Sequence, residues 1–472
     1  MVKKPQLNES QLSIFRERFG NKKVFSQALM PIRGPEGFRK LDYEYANELD
    51  PGTIMKKIAD HGFNAFGLVV KDTDGATLSN TKVGWNPTGR DLVKEFEEQC
   101  QKYDMSYILS VTNMNDAYRG WKTTEGYKTE GTVSIHMRET KKHKAGEIAV
   151  HNEGEMRVDL PEGVSLEEMQ EKIPFLTNKI DEKLGAGRGE RGQGYIPLTS
   201  FHCPRSKHID YMIDLVQELV KNYNVDGIYA DYIRYDGSYT DLCGCERCTS
   251  AFAEQYPGKK IFKKALEKYW YSKEWRDFRE DNIAAYGKKF NDAIKETNEE
   301  CITGWFNLPM LKLFTRDRIA QNYTKLGSTM DTVVPMLYPY LTGTSDDGRK
   351  WRRLANVVHW FFQKIMKSRF SEYGDGSKPV LAVTNSVECN AEEMLISCKD
   401  YDYGLGIALF KYYGTSEAQW MASKLYGEIL SKQKVGDPAP TDEQIKDILF
   451  KVYDKFPPKN PHLLRWKPPK ED

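Results

Sequence analysis

Short runs of β-branched and apolar residues alternate along this chain with stretches whose apolar positions recur near every 3.6 residues. KVFSQALM, Lys23 to Met30, reads as a first strand. PGTIMKKIADHGF follows as a helix, with Asp50 placed to cap it and Pro51 in its first turn. NAFGLVVKD, Asn64 to Asp72, is a second strand, TGRDLVKEFEEQCQKYD a helix, and MSYILSV, Met105 to Val111, a third strand. The strongly periodic HIDYMIDLVQELVKNY leads into VDGIYADYIRYDG, a fourth strand and its exit loop. CITGWFN, TVVPMLYP, PVLAVTN and YGLGIALFKY read as four more strands, and SEAQWMASKLYGEIL as the helix after the last. Eight strands that are apolar along most of their length, mostly alternating with helices, predict an α/β fold of the (β/α)8 TIM-barrel kind. A doubly wound open sheet is the main alternative. No GxGxxG follows the first strand, which weakens a dinucleotide-binding reading, and no organic cofactor is expected.

Three parts fall outside this alternation. Residues 125–194, an inserted α+β subdomain after strand three, are charged and Gly-rich. Within them TVSIHMRE and GEIAVHNEGEMRVDL alternate like a hairpin, and SLEEMQEKIPFLTNKIDEKL looks helical. Residues 236–292, after strand four, hold a cysteine cluster and an aromatic stretch, KKALEKYWYSKEWRDFRE, that reads as a helix. Residues 435–472 form a Pro-rich C-terminal extension with one short helix at TDEQIKDILFKVYDKF, expected to wrap the surface. The remainder, 1–434, is read as one barrel domain that carries both insertions.

Composition narrows the functions open to such a barrel. The 472 residues carry 69 Lys and Arg against 68 Asp and Glu, so the chain lacks the broad basic field of a nucleic-acid binder. Mean hydropathy of −0.65 and the lack of a long apolar run argue against a membrane span. MVKKPQLNESQLSIFRERFG has no apolar core of a secretory signal, so a soluble, cytoplasmic protein is expected.

In a barrel the residues at the C-terminal ends of the strands surround the site. The fourth strand ends in Asp231, followed by Arg234; burying an acidic residue there is costly without a use. Asp226, at the strand's start, is read as a turn or hydrogen-bonding residue. The segment DYMIDLVQELVKNYNVDGIYADYIRYDG resembles a glycosyl hydrolase-like TIM-barrel family whose fourth strand reads DGI-x-x-DYIRY or close to it. PMLYPY and GLGIALFKY fit the sixth and last strands of that family, and the resemblance spans roughly residues 23–432 without the insertions. It implies a catalytic carboxylate at Asp231, kept ionised by Arg234, acting on a glycosidic bond of an oligo- or polysaccharide. A second acid is needed to protonate the leaving oxygen. Strand five ends Trp305-Phe306-Asn307, where many retaining barrels carry a Glu, so Glu388 beyond strand seven is the first choice. Asp72, Asp74 and Asp116 follow strands two and three and are read first as loop or sugar-hydroxyl ligands. Trp305, Asn307, Tyr338, Tyr340, Asn385 and Lys411 fall at strand ends, where aromatic faces stack on sugars and amides or Lys bind hydroxyls.

Cys243, Cys245 and Cys248 form C-x-C-x-x-C, a spacing at which thiolates converge on one tetrahedral ion. Cys203 in FHCPR is the best fourth ligand and His202 the second choice. The arrangement resembles the zinc loop of barrel β-galactosidases, and a structural zinc is expected; reduced thiols or a redox pair are the alternative. Cys100, Cys301, Cys389 and Cys398 are read as packing residues. The leading expectation is therefore a glycosidase with a carbohydrate substrate and neither nucleic-acid nor membrane partner. A carbohydrate-binding barrel without catalysis comes second, and a zinc-linked interaction module using Arg247, Lys259 and Lys260 comes last.

Overall fold

The computed structural model describes residues 9–33, 43–73, 75–116, 132–135, 148–151, 202–235, 246–265, 268–309, 319–338, 357–366, 378–387, 389–458 and 464–466. Each of the eight apolar runs forms a strand: β1 (Val24–Leu29), β2 (Ala65–Lys71), β3 (Ser106–Thr112), β4 (Gly227–Asp231), β5 (Ile302–Asn307), β6 (Thr332–Leu337), β7 (Ala382–Asn385) and β8 (Gly406–Phe410). All pair in parallel in sequence order, and β8 closes onto β1 through Val24 opposite Gly406. The architecture is a (β/α)8 TIM barrel.

Local chemistry sets the helix starts. Asp50 accepts the N–H of Gly52 at 2.9 Å and caps the helix Pro51–Asp60, as its position predicts. Asp91 caps Leu92–Lys102, and Ser416 closes a capping box on Glu417–Leu430. These helices bury their apolar stripes against the outer faces of the strands, where Phe66, Phe96, Trp305 and Trp420 lie in one continuous core. A second core fills the bottom of the barrel interior. Leu12 and Phe15 of the helix Glu9–Arg18, with Phe19 just past its end, close it from below against Val24, Ala65, Ile302 and Leu381. Each large side chain buried there contributes roughly 1.5–3 kcal/mol.

The bottom also holds its charges in matched sets. Lys23 Nζ meets Asp402 Oδ2 at 2.6 Å with both side chains fully buried. Asp402 Oδ1 accepts the N–H groups of Gly404 and Gly406 at 2.8 and 3.1 Å. Gly406 lies at φ +106°, and a Cβ there would stand 1.9 Å from the Val24 carbonyl, so only glycine lets β8 start this close to β1. Asp226 accepts the N–H of Tyr107 at 2.7 Å and pairs with Arg18 at 2.9 Å, which fits its reading as a hydrogen-bonding residue.

One expected helix is not formed as read. Over KKALEKYWYSKEWRDFRE the chain makes an antiparallel hairpin, Phe262–Ala265 with Lys268–Tyr271, and becomes helical only from Lys273. Ser272 caps that helix by accepting the N–H of Trp275, which stops helical structure extending backwards, and the run Tyr269-Trp270-Tyr271 suits a strand. In the insertion after β3, Thr132–Ile135 pairs antiparallel with Ile148–His151, whereas SLEEMQEKIPFLTNKIDEKL lies outside the described residues. The helix Asp442–Lys455 of the C-terminal extension buries Ile445, Ile448, Leu449 and Val452. Among the described residues no helix is long and apolar enough to cross a membrane.

Candidate active site

β4 delivers Asp231 to the top of the barrel, level with Thr112 of β3. There a cavity of about 400 Å³ opens in the barrel interior, lined among others by Asp72, Thr112, Asp231, Tyr232, Arg234 and Tyr338. Successive strand residues face opposite sides, yet both Asp231 and Tyr232 line it. The cause is the backbone of Tyr232, which lies in the left-handed region at φ 56°. A bulky residue there is strained, at a cost of about 1–3 kcal/mol. The surroundings hold the turn in place. Asn113 donates its N–H and its Nδ2 to the Asp231 carbonyl at 2.9 and 3.0 Å, and Gln321 Nε2 donates to the Ile233 carbonyl at 3.3 Å. Asn113 is itself fixed by the hydroxyl of Tyr286.

A second carboxylate reaches the cavity through an irregularity in β2. Gly67 and Val69 face inward, so alternation alone would bring Lys71 next. The pairing with β3 instead shifts between Val69 and Lys71, with Val69 opposite Ser110 and Lys71 opposite Val111. This bulge turns Lys71 away from the cavity, where it pairs with Asp116 at 3.0 Å and donates to the Thr112 carbonyl at 2.9 Å. Asp72 takes the inward place, beside Thr112 if the register continues by one residue. Asp72 and Asp231 then flank β3 at one level, about 10 Å apart at the backbone from two strand spacings. Bulges near active sites commonly re-aim a side chain in this way.

Burial pushes the Asp231 carboxyl above the ordinary carboxylate range. The Arg234 charge and the Tyr232 N–H, which donates to Oδ1 at 2.7 Å, pull the other way, while Asp72 adds to the rise. Arg234 thus acts in the expected direction, and burial outweighs it. Arg234 stacks over the Tyr232 ring at 4.0 Å. Burial likewise raises the Tyr338 hydroxyl.

The cavity walls are unequal. β8, β1, β2 and β3 contribute the small Ala408, Ser26, Ala28, Gly67 and Ser110 beside the larger Phe410, Val69 and Ile108. Opposite them β4, β5 and β6 contribute Tyr229, Phe306 and Met336; Phe410 ends β8 beside Ala28 and reaches Tyr338 at a centroid distance of 5.4 Å.

Of the residues named from sequence, the cavity gathers Asp231, Arg234, Asp72 and Tyr338. Trp305 faces the outer helices, fully buried and 5.9 Å from the Tyr323 ring, and Asn307, of the same parity, is buried as well. The cavity-facing residue of β5 is Phe306. Asp116 is taken by Lys71, and its carbonyl meets His202 Nε2 at 2.9 Å. Asn385 is fully buried at the end of β7, and Lys411 exchanges backbone hydrogen bonds with the Ser386 hydroxyl; neither lines the cavity among the described residues. The Cys203 and Cys248 sulfurs lie 3.3 Å apart, both buried. Glu388, Asp74, Tyr340, Cys243 and Cys245 lie outside the described residues. Among the described residues no three His, Cys, Asp or Glu side chains converge as a metal site.

Residues 192–305 match the family model Glycosyl hydrolase-like 10. That stretch contains β4, Asp231 and the cysteine loop. The fold is similar to that of the PgaB (BpsB) glycoside hydrolase domain from Bordetella bronchiseptica, with TM-score 0.52 and 11% identity over 88% of this chain and 99% of that one. It is also similar to a β-galactosidase from the psychrophilic Marinomonas ef1, with TM-score 0.51 and 10% identity, covering 86% of this chain and 59% of that one. A β-galactosidase from Bacillus circulans sp. alkalophilus gives TM-score 0.50 and 12% identity, covering 87% and 56%. The chain thus spans just over half the length of these two β-galactosidases. No curated protein matches the chain significantly.

Sequence reasoning missed Tyr232, Tyr229, Phe306 and Phe410 as lining residues. The first depends on a backbone angle that no residue type announces. The others follow once inward parity is counted outward from Asp231 across the register.

Proposed function

We propose that this barrel is a glycoside hydrolase-like enzyme that cleaves or transfers a glycosidic bond in an oligo- or polysaccharide, with Asp231 as its catalytic carboxylate. The observation that carries the reading is Asp231 itself, an acidic strand end aimed into a cavity and facing a second inward carboxylate, Asp72. The match to a glycosyl hydrolase-like family model over this segment supports it. Glycoside hydrolysis requires one carboxyl that donates a proton to the leaving oxygen and one that acts ionised, as nucleophile or base. Burial favours the protonated form of Asp231, which suits the donor; Asp72 is the candidate for the second carboxylate. Glu388, just past β7, remains the other acid named from sequence. Arg234 and Tyr338 would hold the sugar. The partner is a carbohydrate, not nucleic acid or membrane.

A panel of aryl glycosides and oligosaccharides tests this. Hydrolysis of at least one, lost in Asp231→Asn with an unchanged circular dichroism spectrum, is the expected result. Binding of a glycan without cleavage of any would favour a non-catalytic carbohydrate-binding barrel. That second reading draws on β5, whose cavity-facing residue is Phe306 rather than an acid.

We also propose a structural zinc held by Cys203, Cys243, Cys245 and Cys248. Two thiolates on one tetrahedral zinc stand about 3.8 Å apart for Zn–S near 2.3 Å, and the 3.3 Å between Cys203 and Cys248 is close to that. Four thiolates leave no open position, so the ion would brace the loop after β4 and take no part in bond cleavage. Elemental analysis should find one zinc per chain and its loss in Cys203→Ser; a metal-free wild-type protein would sink the assignment.

A further inference from the structure

Barrel interiors are ordinarily filled by layers of bulky branched side chains. Here the small positions are contiguous: Gly67 pairs with Ala28, and Ser26 pairs with Ala408 across the next strand interface. The register carries Gly67 to Ile108 and Ile108 to Gly227, four residues before Asp231 along β4. The cavity therefore continues below the level of the carboxylates, between this small-residue wall and the rings of Tyr229 and Phe306. Its 400 Å³ equals the volume of roughly a dozen waters at about 30 Å³ each. Sugar hydroxyls pressed against such hydrocarbon would lose their hydrogen bonds, whereas a methyl group would gain from the same contact.

We infer that the part of the cavity below Asp231 is a specificity pocket for a methyl group carried by the sugar, that of an N-acetyl or of a deoxy carbon, seated against Gly67, Ala28 and Ala408. This rests on the carbohydrate reading above and names the substrate class that reading leaves open. The lining separates the tasks: carboxylates and Arg234 above address the polar ring, and the small-residue wall below measures the substituent.

Matched sugars test it on the full chain by titration calorimetry. N-acetyl is compared with N-formyl in glucosamine and galactosamine, and L-fucose with L-galactose. The substituent-bearing member of at least one pair should bind tighter, by about fourfold per buried methyl or methylene. The responding pair tells acyl from deoxy methyl. Gly67→Val projects into the pocket, and a Cβ at this position meets nothing closer than Ala28 at 3.6 Å. It should abolish the preference without lowering the melting temperature. Ala408→Val provides the same test should Gly67→Val fail to fold. Equal or absent binding in every pair overturns the pocket, as does a preference that survives in the folded variants. If preference is seen and removed while no glycoside is cleaved, the pocket stands and the hydrolase reading falls. If glycosides are cleaved without preference, the reverse holds.

Discussion

The two ends of this barrel bury charge in opposite ways. At the bottom Lys23 faces Asp402 with both buried, and Asp226, itself raised by burial, faces Arg18 and the Tyr107 N–H. At the top Asp231 remains above its ordinary range although Arg234 stands near, and Tyr232 is held in a backbone conformation that a bulky residue avoids. A buried charge costs several kcal/mol unless its partners are well placed. The bottom meets that condition and gains a rigid foundation. At the top Lys71 and Asp116 meet it as well, whereas Asp231 does not, and the turn after it persists because Asn113 and Gln321 hold it from neighbouring elements. Such unresolved strain and charge accumulate where chemistry is done.

If the contrast is sound, mutations at the two ends should differ in sign. Asp402→Ala should have the largest effect on stability, a loss of about 3–5 kcal/mol, because it leaves Lys23 buried without a counterion. Urea denaturation measures this, and a loss below 1 kcal/mol would break the contrast. Arg18→Ala should cost less, about 1 kcal/mol, because both partners retain some solvent contact. Asp226 would then lose its cation, and its burial-raised carboxyl would rise further, so the variant's deficit should grow as pH rises from acid toward neutral. Asp231→Asn should give the smallest change, and a gain. With its folded pKa above the ordinary 3.8, the folded state holds the proton more tightly than the unfolded chain. Stability therefore falls as pH rises through that window and stays lowered above it. The uncharged Asn escapes this penalty, so the variant should melt higher than wild type at neutral pH and equal to it below pH 3.8. A lower melting temperature at neutral pH would mean that Asp231 holds the fold together as Asp402 does.

How far the sequence carried the reading differs between these ends. The barrel was legible because each strand is a compact apolar run that ends at a turn or a helix cap, and these signals are local. Asp231 was legible because an acid at the end of such a run is costly. Trp305 and Asn307 were assigned to the wrong face, since inward parity is set by register with neighbouring strands and not by residue type. The aromatic segment ending at Tyr271 could be read as helix or strand until Ser272 was seen to cap a later helix. Lys23 and Asp402 are 379 positions apart in the chain, and no local pattern links them.

The irregularity in β2 has one more consequence. It makes the sign of the cavity wall depend on strand pairing rather than on residue choice. Pairing the same strand without the extra residue at Val70 looped out would swing Lys71 inward and Asp72 outward, and exchange an anionic wall for a cationic one while every residue kept its identity. Deleting Val70 itself would remove the bulge yet leave Lys71 outward and Asp72 inward, so the acidic wall is a property of how β2 pairs with β3.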